Sequence, residues 1–313
     1  MRYLILGTGA LGGFYGGLLA RNGCDVTFYC RSDLQHLQTH GLLIESKLGD
    51  FHLPHVQAIG ESTSNQPFDV VIVCLKSVQN IHLSQLLPRF LKSDSLVVVL
   101  QNGLHVEEPA RQLIGPGKTI GGCCFLCSNK VGPGHIRHLD YGRITMGPYR
   151  GVDQTDAWED QSRLEAIGRD FAQAGIEISL TDSLEEARWR KLMWNIPYNG
   201  LSVILDATTL DLMRHPQAAQ LCESLMREVR TIASARGMQI EEAFIEKLVE
   251  DTRKMVPYDS SMRLDFLNHR AMEIEAIFGN PLRVADTMGV PAGQLRTLYY
   301  QLRYLETRST QKA

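Results

Sequence analysis

The chain has 313 residues, 44% of them hydrophobic and 21% charged, with a formal net charge of −3. That length exceeds one ordinary domain and predicts two. The charge argues against nucleic acid or an anionic membrane surface as a partner, and no apolar run approaches the roughly 20 residues that span a bilayer. A strand starting at the second or third residue leaves nothing over for a signal peptide, so a cytoplasmic protein is expected. The seven cysteines sit mostly in apolar runs, as at Cys24, Cys30 and Cys74, in the manner of buried free thiols.

Tyr3-Leu4-Ile5-Leu6 is an apolar run of strand length. It stops at Gly7-Thr8-Gly9-Ala10-Leu11-Gly12, which fits G-x-G-x-x-G, and Gly13 to Ala20 then read as a helix. Asp25 to Cys30 reads as a second strand. The glycine motif alone is weak evidence, but strand, turn, helix and strand in this order are its required context. Gly7 permits the tight turn, Gly9 lets the backbone approach a pyrophosphate, and Gly12 lets helix and strand pack closely. The start of the helix offers N–H groups and a positive dipole end to phosphates. A dinucleotide is therefore expected. NAD-binding chains usually place an acid at the end of the second strand to hold the ribose 2′-hydroxyl. Here the tip reads Phe28-Tyr29-Cys30-Arg31-Ser32, with no acid before Asp33. A guanidinium grips a 2′-phosphate that a carboxylate would repel, so Arg31 predicts NADP(H).

Leu34 to His40, closed by Gly41, reads as a short helix, and residues 42–66 hint weakly at an edge hairpin. Phe68 to Leu75 is nearly continuous apolar sequence, as expected of a central parallel strand. A helix is predicted over Ile81 to Leu91, and a strand over Leu96 to Leu100. Lys76 and Asn102 each fall just past the carboxyl end of a strand, where ligands of doubly wound sheets bind. A turn role for either is equally compatible, since Asn-Gly is a common turn pair. Strands follow over Ile120 to Leu126 and Ile144 to Met146, around a glycine-rich turn region at 132–142. Cys124-Phe125-Leu126-Cys127 has C-x-x-C spacing, but no second pair completes a tetrahedral site, and no metal is predicted. After the polar residues 150–162, a helix from Leu164 to Ala174 and a last strand from Ile176 to Leu180 complete an α/β unit.

From Leu184 onward only helical periodicity remains, which places a domain boundary near residue 182. Pro216 suits a first helical turn and Gly237 the end of the same helix. Another helix is predicted from Ser260 or Ser261 to about Phe278, stopping at Gly279-Asn280-Pro281. On the first of these helices Lys191, Asn195 and Asn199 stand at i, i+4 and i+8, along one face. Asn is a poor helix-interior residue, and Pro197 removes a helical hydrogen bond and predicts a bend. A solvent-facing polar stripe would account for the row without function. An amine aligned with two carboxamides also suits protonation of an alkoxide and capture of a carboxylate or hydroxyl.

Gly7 to Gly12, Arg31, Lys76 and Gln101-Asn102-Gly103, then Trp189-Arg190-Lys191-Leu192 with Asn195 and Asn199, resemble the ketopantoate reductase family. Ser260-Ser261-Met262, Glu273-Ile274-Glu275, Gly279-Asn280-Pro281, Gly289-Val290-Pro291 and Thr297-Leu298-Tyr299 match in order and spacing. The resemblance covers essentially the whole chain and is weakest in 42–66 and 132–165. It implies a Rossmann-type doubly wound parallel sheet over 1–182, binding NADP. An all-helical substrate-binding and catalytic domain of the 6-phosphogluconate-dehydrogenase type follows over 183–313. It implies NADPH-dependent reduction of ketopantoate, a small 2-oxo acid, to pantoate in pantothenate and coenzyme A biosynthesis. Lys191 is then the proton donor, and Asn195, Asn199 and Ser261 contact substrate. Gly7, Thr8, Gly9, Ala10, Leu11 and Gly12 hold the pyrophosphate, and Arg31 and Lys76 lie at the adenosine-phosphate end. Asn102 sits near the nicotinamide ribose and substrate, and Glu273 beside cofactor and lysine. Two positions depart from the family pattern: Thr209 and Tyr258 stand where family enzymes carry Asn. The reaction type is therefore better supported than the substrate. A β-hydroxyacid or opine-type dehydrogenase and a non-catalytic NADP(H) sensor are the alternatives. The sequence assigns no oligomeric state, and a homodimer is compatible with it.

Overall fold

The computed structural model describes residues 1–255 and 259–310. The chain forms two compact units. One holds Met1–Gln101 and Val106–Leu184; the other holds Asn102–His105 and the described residues from Glu185 onward.

The first unit is built on ten strands. β1 (Arg2–Leu6), α1 (Ala10–Arg21) and β2 (Asp25–Tyr29) form the expected βαβ start. α2 (Leu34–His40) leads into β3 (Leu42–Ser46), β4 (Phe51–Leu53) and β5 (Gln57–Ile59), which occupy the weakly patterned stretch. β6 (Phe68–Val73) is buried at five of its six positions, as its apolar run predicts. The helix expected over Ile81 to Leu91 is broken into a 3₁₀ turn Ser77–His82, the four-residue α3 (Leu83–Leu86) and a second 3₁₀ turn Leu87–Arg89. Pro88 cannot continue the α ladder, and β7 (Leu91–Val99) starts where the helix was expected to end.

After α4 (Glu108–Ile114), the 14-residue strands β8 (Thr119–Gly132) and β9 (His135–Pro148) form a long antiparallel hairpin. The turn is far shorter than the glycine-rich 132–142 region suggested, because Gly134, at φ +57, reverses the chain at once. α5 (Gln161–Gln173) and the edge strand β10 (Ile178–Leu180) close the unit. The sheet order is β4-β3-β9-β8-β7-β6-β1-β2-β5, with β10 also on β9. β1, β2, β5, β6, β7 and β8 run parallel in sequence across it, while β8–β9 and β3–β4 are antiparallel, so the sheet is mixed but rich in parallel pairs. Its core, with Tyr3, Ile5, Phe14, Phe28, Val98 and Phe171, is fully buried.

The second unit is helical. It runs α6 (Leu184–Ile204), α7 (Thr209–Arg214), α8 (Pro216–Ala235) and α9 (Glu242–Lys254), then α10 (Ser261–Leu267), α11 (Asn280–Thr287) and α12 (Gly293–Thr310). Pro216 stands in the first turn of α8, and Gly237, at φ +85, follows its end. The helix expected from Ser260 to Phe278 is not continuous: α10 ends at Leu267, and a π-helical turn covers Glu275–Gly279. Gly279-Asn280-Pro281 does not stop a helix. It passes the π turn directly into α11, with Pro281 in the first turn, where a missing N–H costs nothing. Trp189, Ile196, Val229, Phe278 and Leu295 centre this unit's core.

Candidate active site

In the sheet unit, the glycine turn is fitted to its neighbours. Gly7 has φ +105, and a Cβ there would lie 3.0 Å from the Leu75 backbone nitrogen. A Cβ on Gly12 would lie 2.1 Å from the Gly7 carbonyl oxygen. Gly9 differs: a Cβ there would meet nothing within 4 Å. Gly7 and Gly12 are thus required by packing, while Gly9 borders open space at the N-terminus of α1. No side chain caps that helix and its first turn carries no acid, so a dinucleotide diphosphate fits the N–H groups and the dipole there. The Gly7 N–H donates to the Tyr29 carbonyl at 3.2 Å, which ties the turn to the end of β2. Buried Thr8 donates its hydroxyl to the same carbonyl at 3.4 Å. Arg31 is exposed just beyond, and Lys76 is half-buried at the head of the 3₁₀ turn after β6. Asp33 is almost fully buried. Burial acts to raise its carboxyl, but hydrogen bonds from Lys130, Ser32 and the Gly134 N–H outweigh this and hold it below the usual range.

In the helical unit, α6 carries Lys191, Asn195 and Asn199, all three buried. The helix continues unbroken through Pro197. The Lys191 ammonium donates to Asn102 Oδ1 at 2.5 Å. Asn102 reaches it because residues 102–105 dock on the π turn. The Leu104 N–H donates to the Ala276 carbonyl at 2.9 Å, and Asn280 Nδ2 donates to the Leu104 carbonyl at 2.6 Å. Gly103 makes the close approach feasible: it has φ +117, and a Cβ would fall 2.5 Å from the Ala276 side chain. A π turn is rare and found often at functional sites. Here it begins two residues after half-buried Glu273, whose carbonyl accepts the Ile277 N–H.

Sequence reasoning missed the support beneath this row. Ser202, fully buried, donates its hydroxyl to the Asn199 carbonyl at 3.1 Å and lies 2.7 Å from Ser260 Oγ. Because Ser202 spends its proton on the carbonyl, Ser260 donates to Ser202, and Ser260 in turn accepts the Arg263 N–H as the cap of α10. A signal was available, since Ser202 continues the face of Lys191, Asn195 and Asn199 at i+11. Ser261, one residue past the cap, is exposed, and Thr209 is buried in the first turn of α7 beside the capping box of Thr208 and Asp211. Tyr258 lies outside the described residues.

Glu185 accepts Trp189 Nε1 at 3.3 Å and both Nε and Nη2 of Arg236, at 3.0 and 3.1 Å. This fixes the first turn of α6 ahead of Lys191. Among the described residues no group of three or more His, Cys, Asp or Glu is placed to hold a metal ion, and all seven cysteines are free thiols. Burial pushes the Cys30 thiol up to about 11, so it is not a poised nucleophile. No described helix is long and apolar enough to cross a membrane.

The family model described as Ketopantoate reductase PanE/ApbA matches residues 3–151, and its C-terminal counterpart matches 183–306. The chain belongs to the ketopantoate reductase family. It is 48% identical over 308 residues to a 2-dehydropantoate 2-reductase of Nostoc sp., covering 98% of this chain and 96% of that relative. The crystal structure of 2-dehydropantoate 2-reductase from Geobacter metallireducens superimposes with a TM-score of 0.91 at 36% identity, covering 97% of this chain and 99% of that one. D-mandelate dehydrogenase, solved with NADH and anilino(oxo)acetate, shares the fold at 19% identity and a TM-score of 0.88, over 99% of this chain and 100% of that one. Membership makes the chain an oxidoreductase of the NAD(P)-dependent kind.

Proposed function

We propose that this chain reduces ketopantoate to pantoate with NADPH, in the supply of pantothenate and coenzyme A. The observation that carries the reading is Lys191, a buried ammonium held 2.5 Å from Asn102 Oδ1 and aligned with two buried carboxamides. Its 48%-identical relative bears the name of this activity. When bound, the nicotinamide supplies the hydride to the substrate's carbonyl carbon. Negative charge then builds on the carbonyl oxygen. The Lys191 ammonium stabilises that charge and donates the proton that completes the hydroxyl. Asn102 keeps the Lys191 amine from swinging away, and Asn195, Asn199 and Ser261 orient the 2-oxo acid. Gly7 to Gly12 receive the diphosphate at the head of α1, Arg31 and Lys76 serve the adenosine-phosphate end, and the family resemblance assigns Glu273 to the cofactor and the lysine.

NADPH oxidation measured on ketopantoate and on a panel of branched 2-oxo acids tests this. Ketopantoate should be turned over, and Lys191→Ala should lower kcat by roughly 10²–10⁴, the usual range for general acid–base catalysis, with little change in NADPH affinity. A Lys191→Ala enzyme that keeps most of its turnover would move the acid elsewhere, Glu273 being the next suspect. Good turnover of another 2-oxo acid and none of ketopantoate would overturn the substrate while leaving the reaction type standing.

A further inference from the structure

An acid near the end of β2 is the group by which dinucleotide sites favour NADH, through the ribose 2′-hydroxyl. This chain has such an acid, Asp33, two residues beyond Arg31, yet the carboxylate is fully engaged elsewhere. Lys130 Nζ donates to Asp33 Oδ1 at 2.7 Å and lies 2.6 Å from Oδ2. The Gly134 N–H donates to Oδ2 at 3.1 Å, and Ser32 Oγ donates to Oδ1 at 2.8 Å. Lys130 lies in β8 and Gly134 in the turn after it, so the β8–β9 hairpin reaches the tip of β2 across 97 residues of sequence. Its fit is close: a Cβ on Gly134 would come 2.5 Å from the His36 ring on α2. The Leu43 N–H donates to the Gly134 carbonyl at 2.8 Å and anchors the same turn on β3.

We infer that Lys130 is a cofactor-specificity residue. Its ammonium neutralises Asp33 and binds it to the hairpin, so that Arg31 meets a 2′-phosphate without an opposing carboxylate beside it. Lys130 acts through Asp33 and positions it; it is not itself a ligand of the phosphate. The inference rests on the NADPH reading above and adds the residue that turns an NADH-type acid into a structural one.

The experiment compares kcat/KM for NADPH and NADH in four proteins. Lys130→Met should lower the NADPH:NADH ratio by roughly threefold to tenfold, the effect of one unneutralised carboxylate acting on a solvent-exposed phosphate dianion through a screened, surface-like medium. Adding Asp33→Asn to that variant should restore the ratio. Asp33→Asn alone, which leaves the Lys130 charge uncompensated, should raise it, and this arm decides the matter should Lys130→Met fail to fold. A merely structural role for Lys130 would weaken both cofactors alike and leave the ratio where it was, which would overturn the inference. A parent enzyme without NADPH preference would instead overturn the cofactor reading on which the inference stands.

Discussion

At the scale of single residues, the proposed cofactor choice turns on charge and the proposed substrate choice on hydrogen-bonding capacity. Arg31 is exposed two residues beyond β2, and the proposed function assigns it to the 2′-phosphate of NADPH. Arg31→Asp should therefore shrink the preference for NADPH, each lost phosphate contact costing about 1.5–3 kcal/mol, as for hydrogen bonds to charged groups. Steady-state kcat/KM for the two cofactors measures it, and equal values in the parent protein would remove the basis of the claim. Thr209 is the residue-scale departure that bears on substrate. The family resemblance puts its hydroxyl where a carboxamide would offer two donors and an acceptor, and it is buried in the first turn of α7. Thr209→Asn should improve KM for ketopantoate more than kcat, the sign of added uniform binding. A change confined to kcat would place the residue outside the substrate contacts.

At the scale of elements, the parts with strong local pattern were legible in advance and the parts made by distant contacts were not. The β1–α1–β2 start follows from an apolar run, three glycines and a second apolar run. The continuous burial of β6 follows from Phe68 to Val73. The α6 row follows from the spacing of Lys191, Asn195 and Asn199 alone. Gly279-Asn280-Pro281 misled because the same residues suit a helix stop and a helix first turn. What decides between them is the preceding π turn, whose widened register leaves the Ala276 carbonyl for Leu104. The grip of Lys130 on Asp33 and the bond of Ser202 to Ser260 span 97 and 58 residues, and no periodicity records such pairs. The same contacts carry predictions. Gly103→Ala should be severely destabilising, since it combines φ +117 with a Cβ 2.6 Å from the Ala276 carbonyl oxygen. Ser202→Ala leaves Ser260 without its acceptor, at a cost of about 1–3 kcal/mol for an unmatched buried polar group. It should raise KM for the 2-oxo acid by shifting Asn199 against α10, and Ser202→Thr, which keeps the hydroxyl, should recover it. A Ser202→Ala enzyme with parental KM would leave the serine pair a packing feature only.

At the scale of the whole molecule, the titration of buried groups should make the sheet unit acid-sensitive. His138 on β9 is almost fully buried and packs its ring 4.3 Å from that of Phe14 on α1. Ser46 Oγ lies 2.8 Å from its Nδ1 and the Tyr141 carbonyl 2.9 Å from its Nε2, an arrangement that the neutral ring satisfies with Nδ1 accepting and Nε2 donating. Burial, more than the nearby Lys47 charge, pushes its pKa below the ordinary 6.5, and the hydrogen bonds and Asp140 only partly oppose this. A folded-state value below the unfolded one means that the unfolded chain binds the proton more readily. The contribution of neutral His138 is therefore present above about pH 6.5 and is lost as pH falls from there through the folded value. Asp33 has the same sign at lower pH: its depressed carboxyl stabilises the fold above the ordinary 3.8 and ceases to do so on further acidification. Loss of stability on acidification should thus come in two stages, the first between neutrality and mild acid. Each group adds at most about 1.4 kcal/mol per pH unit to the slope, or about 2–4 °C in Tm per kcal/mol for a domain of this size. Thermal melts of the parent and His138→Gln from pH 7.5 to 5 measure the first stage. Gln keeps a donor and an acceptor but cannot take the proton, so its Tm should vary less over that interval, even if it starts lower. Parallel pH dependence of the two proteins would mean that His138 does not titrate between the folded and unfolded states as its burial requires.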